Sequence, residues 1–180
     1  MLIRRNIAML PAIGVEIVEA TTSDMELVLA WRNNPDIYKG FYKQSKGEGP
    51  IPWEKHLSWW FSRYNWKTFI IVASMNSDLE LPCLPPEGNG CRKVGFIHIG
   101  QLDCWKPQIG YTIGETTLWG KGVCKEAVRQ ALDWLREKGY IRVWTTVLKD
   151  NIGGYRVLEG LNFRKVGDGR EGEWEYELNL

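Results

Sequence analysis

Residues 116–127, TTLWGKGVCKEA, place two glycines and two lysines at the head of an amphipathic stretch. Such a composition suits phosphate, and three arrangements can be tested by spacing. A P-loop needs G-x-x-x-x-G-K-[ST]. Here five residues separate Gly114 from Gly120-Lys121, and Gly122 stands where a Ser or Thr would hold Mg²⁺. A dinucleotide fingerprint needs G-x-G-x-x-G, and Lys125 takes the third glycine position. The third arrangement is a pyrophosphate cradle at a helix N-terminus, where unpaired N–H groups and the positive dipole end favour an anion. Glycines at 120 and 122 would let phosphate approach the backbone, and Lys121 and Lys125 add charge one turn apart. A plain glycine turn with exposed lysines fits the same letters, and this stretch alone does not choose.

Other reactive side chains are sparse. Cys83, Cys91, Cys104 and Cys124 form no C-x-x-C pair and only two histidines accompany them, so no metal site is expected. Cys83 and Cys91 bracket a Pro/Gly-rich loop and could bridge if oxidised. With no export signal they read as reduced thiols of a cytoplasmic protein. Arg4 and Arg5 precede a few apolar residues, but Pro11 and Glu16 break that run too early for a signal segment. No apolar run approaches the ~18 residues of a membrane helix, so no membrane partner is expected. A net charge of +1 argues against a dedicated nucleic-acid binder. Of ten tryptophans, Trp31, Trp53, Trp59, Trp60 and Trp66 crowd residues 31–66, in and just past the first third of the chain. They make either an aromatic core or an aromatic-walled pocket.

The elements that must position these residues follow from periodicity. Residues 15–20 alternate apolar and acidic, as a half-buried strand does. Thr22 or Ser23 can cap a helix with Met25, Val28, Leu29 and Trp31 on its apolar face, interrupted at Pro35. Residues 40–50 read as a loop. Residues 51–66 read as a second helix with Pro52 in its first turn. Residues 67–74 form an apolar, β-branched strand. A Pro/Gly-rich loop leads to a strand over 93–101, with Val94, Phe96 and His98 on one face and Ile97 and Ile99 on the other. A further strand spans 107–114. The clearest helix covers 121–139, with Val123, Ala127, Val128, Ala131, Leu132 and Leu135 in one stripe and Gly139 as its stop. A strand over 140–148, a short helix over 151–161 and two strands joined by DGREG complete the chain. The order is mixed α and β with hairpins, which disfavours a doubly wound nucleotide fold. At 180 residues one domain is expected.

The run IGYTIGETTLWGKGVCKEAVRQALDWL, followed by a strand and NIGGYRVLEGLNF, resembles the GNAT superfamily of acetyl-CoA-dependent N-acetyltransferases. The likeness runs from about Val15 to the end and is densest between Val94 and Phe163. It implies an α+β fold over residues 1–180, with a mainly antiparallel central sheet flanked by helices and splayed at the strand 107–114. It implies acetyl-CoA as co-substrate and no metal. The family cradle, Q/R-x-x-G-x-G/A, falls on Trp119-Gly120-Lys121-Gly122-Val123-Cys124 with Lys125 following; Trp119 and Cys124 depart from it. Tyr111, Thr112 and Ile113 would pair with the pantetheine arm, and Asn151 matches the Asn that bonds it. AWRNNPDI followed by WEKHLSWW is similar to the Rim-type acetyltransferases of ribosomal-protein N-termini and to the acetyltransferases of nucleotide-linked amino sugars.

The implied reaction is direct transfer of an acetyl group to a primary amine, with a strand N–H near Tyr111 or Thr112 polarising the thioester carbonyl. The Tyr that many members use as general acid is Leu158 here, and Tyr155, three residues earlier, is the substitute candidate. Gln108 stands where relatives carry a Glu, which leaves Glu54, His56 and Glu115 as candidate bases. Glu54 and His56 are two apart, so at most one should face a pocket. Trp31, Arg32, Asn33 and Trp59 are the candidate acceptor wall. The acceptor is a small-molecule or peptide amine, with the tryptophans tipping toward an amino sugar, and a homodimer is left open. The competing class is a non-catalytic CoA sensor or interaction domain of the same fold.

Overall fold

The computed structural model describes residues 14–41, 47–62, 64–74 and 91–180. Cys83, residues 42–46 of the loop over 40–50 and most of the Pro/Gly-rich loop lie outside them. The strands are β1 (Gly14–Glu19), β2 (Lys67–Ser74), β3 (Cys91–Gly100), β4 (Gln108–Ile113), β5 (Arg142–Leu148), β6 (Arg164–Asp168) and β7 (Glu173–Asn179). The helices are α1 (Met25–Asn33), α2 (Pro35–Tyr38), α3 (Trp53–Phe61), α4 (Val123–Glu137) and α5 (Ile152–Glu159). The seven strands form one sheet in the order β1-β2-β3-β4-β5-β7-β6, antiparallel throughout except at β4 and β5.

Helices cover both faces of the sheet. The predicted stripe of α4 is buried in full and meets Phe69, Ile97, Ile99 and Ile109 on one face. Gly139 ends α4 in the left-handed region, φ 84°, with the Tyr140 N–H reaching back to the Leu135 carbonyl at 3.1 Å. On the other face Val28, Trp31 and Ile37 of α1 and α2 pack against Ile70 and Phe96.

Local chemistry moves several expected boundaries. Asp24 accepts the Thr21 N–H at 2.7 Å, so Thr21, not Thr22 or Ser23, opens the turn before α1. Pro52 stays extended at φ −63°, ψ 152° and caps α3 from outside rather than entering its first turn; α3 ends at Phe61. The register between β2 and β3 slips between Ile71 and Val72. That bulge turns Val94 to the α4 face with Ile97 and Ile99, whereas strict alternation groups it with Phe96 and His98.

Candidate functional site

β4 and β5 run parallel but meet at one pair, Gln108↔Trp144, where the Trp144 N–H donates to the Pro107 carbonyl at 3.1 Å. Beyond it they part, and the gap opens into a cleft of about 1960 Å³. The backbone of β4 alternates sides. Gly114 N–H donates to the Val94 carbonyl of β3 at 2.8 Å, so the even-numbered residues of β4 bond to β3 and the odd-numbered ones face β5. Tyr111 and Ile113 therefore turn their N–H groups toward the gap. Thr112 turns its N–H to β3.

The cradle stretch closes one end of this cleft. Gly120 and Gly122 sit at φ 74° and 82°, in the left-handed region that favours glycine, and Gly122 is the N-cap of α4. The first intrahelical bond runs from Glu126 N–H to the Gly122 carbonyl at 3.0 Å. The N–H groups of Val123, Cys124 and Lys125 thus have no partner within the helix, and they open toward the cleft mouth. The side chains differ in their use. Val123 is buried in the core, Lys121 is exposed and off the cleft lining, and Lys125 lines it. Burial pushes the Cys124 thiol up to about 12, so it stays protonated and acts as filler. Trp119 is half exposed and its indole N–H donates to the Ile113 carbonyl at 3.2 Å. Trp119 thereby ties the glycine loop to the splayed end of β4.

Two contacts bind α5 to the same region. The Asn151 Oδ1 accepts the Gly154 N–H at 2.9 Å, which caps α5 and leaves the amide nitrogen as its second polar atom at the cleft. The Tyr111 hydroxyl donates to the Gly154 carbonyl at 2.8 Å, and burial raises its pKa well above the ordinary value.

The opposite end of the cleft is lined by α1, α3 and β3. Of the WRN triplet only Arg32 faces it. Trp31 is stacked on Phe96 at 6.1 Å and seated against Gly114, where an added Cβ would fall 2.2 Å from its ring. Trp31 is core. Asn33 accepts the Ile51 N–H at 2.7 Å and donates to the Ile51 carbonyl at 3.0 Å, which fixes the approach to α3. The Arg32 guanidinium lies 4.2 Å from the Trp59 ring centre and bonds His56 Nδ1 at 3.2 Å. No carboxylate among the described residues pairs with it, and burial lowers its pKa to about 10.

His56 is fully buried, and its Nε2 lies 2.9 Å from the Met25 carbonyl. Only a donor satisfies that carbonyl, so Nε2 carries the proton and Nδ1 accepts from Arg32. Burial first, and then the Arg32 charge, lowers its pKa. Both ring nitrogens are engaged, and neither reaches the cleft. Glu54 is exposed on α3 and off the lining, and Glu115, just past the end of β4, is half-buried and off it too. Tyr155 packs edge-on against Trp174 at 5.6 Å, and Leu158 is buried in the core; neither lines the cleft.

Of the titratable residues that line it, two away from the exposed rim were not singled out from sequence. Glu173, 4% exposed, accepts from Thr146 Oγ1 at 3.2 Å and from Arg170 Nε at 3.2 Å. It stands at the start of a strand expected from the sequence, where nothing marks it out. His98 sits opposite Gly110 in the β3–β4 register, and only its shared face with Phe96 pointed to it.

Residues 15–164 match the model of the acetyltransferase (GNAT) domain. An uncharacterized protein of Methanocaldococcus jannaschii is 42% identical over 162 residues, which are 90% of this chain and 30% of that protein. The chain thus spans about 30% of the length of this relative. The crystal structure of a domain from Methanocaldococcus jannaschii is 40% identical, with a TM-score of 0.82 over 94% of this chain and 100% of that one. The aminoglycoside acetyltransferase AAC(6')-Ib, in complex with coenzyme A and kanamycin, shares the fold at 14% identity, with a TM-score of 0.70 over 92% of this chain and 95% of that one.

Proposed function

This chain belongs to the GNAT acetyltransferase family, and we propose that it transfers the acetyl group of acetyl-CoA directly to a primary amine. One observation carries the reading. The backbone of β4 opens toward the gap beside a helix N-terminus whose first N–H groups have no helical partner. Both features suit one elongated anionic ligand. The amides of Val123–Lys125 would take the pyrophosphate with Lys125 beside it, and Tyr111 and Ile113 would pair with the pantetheine arm like an added strand. Acetyl-CoA supplies the acyl group as a thioester. Of the two residues weighed for polarising its carbonyl, Tyr111 is the one whose N–H is aimed at the gap. The Asn151 amide nitrogen would contact the arm.

The acceptor side supports a nucleotide-linked amino sugar over a protein N-terminus. Trp59 and Trp66 offer aromatic surface to a sugar or base. Arg32 offers a desolvated guanidinium that, among the described residues, is held by an aromatic ring and a neutral imidazole, which suits a phosphate oxygen. A second reading, a non-catalytic CoA-binding domain, draws support from Tyr155 and Leu158 facing away from the cleft. Thiol release from acetyl-CoA separates the two. Incubation with a UDP-linked amino sugar, the free amino sugar and peptides with a free N-terminus should give release with the UDP-linked sugar first. A CoA-dependent rise in melting temperature with no release on any amine would favour the binding domain.

A further inference from the structure

We propose that His98 is the group that takes the proton from the acceptor amine, an inference that rests on the transfer reading above. Its place in the sheet carries the argument. His98 is paired with Gly110, two residues along β4 from Gln108, the last residue joined to β5. At about 3.4 Å per residue Gly110 lies roughly 7 Å along β4 from the point of divergence, next to Tyr111, whose N–H is aimed at the gap. Gly110 has no side chain, and the space its Cβ would fill lies 3.6 Å from the His98 ring. The ring therefore lies over the open backbone of β4 and faces the cleft.

The other titratable groups of the lining are placed worse. Glu173 pairs with Leu148 of β5, across the gap from β4. Its carboxylate also accepts two hydrogen bonds, from Thr146 and Arg170. Asp36, Glu48, Asp150 and Glu171 are exposed at the rim. The Tyr111 hydroxyl is spent on Gly154, and Cys124 stays protonated.

The surroundings of His98 suit a proton acceptor. Trp59 and Trp66 meet the ring edge-on at 5.0 and 6.4 Å, and Phe96 lies tilted at 4.8 Å. These rings surround the half-buried imidazole with apolar surface. Thr68 of β2 and Gly110 of β4 flank it in register and carry no charge. Among the described residues, Arg32 lies 4.2 Å from the ring centre of Trp59, which itself meets His98, and the neutral His56 stacks on that same tryptophan at 5.5 Å.

In the step itself R–NH₃⁺ gives one proton to the His98 imidazole. The freed nitrogen attacks the thioester carbon; the C–N bond forms and the C–S bond breaks. The extra proton on the new amide nitrogen goes to the leaving sulfur, which departs as the CoA thiol. His98 then returns its proton to solvent.

The test is the pH profile of kcat/KM for thiol release, with acetyl-CoA and the best amine of the panel above, for the wild type and His98→Gln. The wild type should show an acidic limb in the histidine range, in addition to the acceptor's own titration. In the variant that limb should vanish and kcat should fall about 10²- to 10³-fold, while KM for acetyl-CoA stays within about threefold and CoA still raises the melting temperature. A residue that only packs the aromatic cluster would lower kcat without removing the limb. Wild-type activity with no acidic limb overturns the role, whatever the variant does. So does a variant that keeps both the limb and a kcat within about threefold of wild type. Absence of thiol release by the wild type on every amine overturns the transfer reading, and His98 with it.

Discussion

The cleft end beside α4 is made of backbone, and the end beside α1 and α3 is made of side chains. At the first, the groups aimed inward are the amides of Val123–Lys125 and the β4 amides of Tyr111 and Ile113. At the second, they are the Arg32 guanidinium, the Trp59 and Trp66 rings and the His98 imidazole. A backbone site tolerates side-chain drift. Trp119 and Cys124 stand at positions where the family pattern has other residues, yet one ties the loop to β4 and the other fills the core beneath it. A side-chain site has no such tolerance, because each group is its own donor or charge.

This contrast predicts where substitutions hurt. The largest effect on ligand binding should come from Gly122→Val. It forces a β-branched residue to φ 82°, costing roughly 1–2 kcal/mol, and adds bulk where phosphate must approach. CoA affinity measured by calorimetry should fall about 30-fold, which is ~2 kcal/mol. Lys121→Ala and Cys124→Ser should change it by less than about threefold. A larger loss from either than from Gly122→Val would break the backbone account.

Gly114→Ala should act on the other end through packing alone. The added methyl would meet the Trp31 ring at 2.2 Å, and overpacking of this kind costs about 1–3 kcal/mol. Urea denaturation should record that loss, while CoA affinity of the folded variant stays near wild type.

Arg32→Lys should raise the acceptor KM about tenfold, ~1.4 kcal/mol, because an ammonium cannot reproduce the planar fork on Trp59. CoA affinity should not move. Equal losses for both substrates would mean that the two ends are not separable.

The smallest effect is on stability against pH. His56 has a lowered folded pKa, so the unfolded chain binds the proton more readily. Its contribution is fully present above the unfolded value of about 6.5 and is lost as pH falls toward the lowered folded value. Denaturation midpoints should therefore drop between about pH 7 and 5, and His56→Phe should flatten that slope. An unchanged slope would mean that His56 is charged in the folded protein.

The same contrast explains what the sequence made legible. Glycine at φ > 0, a helix stripe and β-branched runs are local, so β2, the body of α4 and the glycine turn ahead of it could be read from the letters. The opening of β4 came through resemblance alone, since no local signal marks where two strands part. The acceptor end depends on which way each side chain points after the chain has folded. In WRN the three residues take three fates: core, cleft and loop latch. His56 looked like a base by type and is consumed by Met25 and Arg32, partners whose geometry only the packing of α1 on α3 creates. Val94 faced the other way because of a bulge that alternation cannot show. Glu173 went unmarked because a strand-end glutamate gives no hint that Thr146 and Arg170 will enclose it.

Calorimetric titration of CoA into the wild type, Gly122→Val and Arg32→Lys tests the division of the cleft most directly. The account predicts saturable binding to the wild type, the same affinity within about threefold for Arg32→Lys, and a loss of about 30-fold for Gly122→Val. No binding to the wild type, or equal affinity for all three proteins, would contradict it.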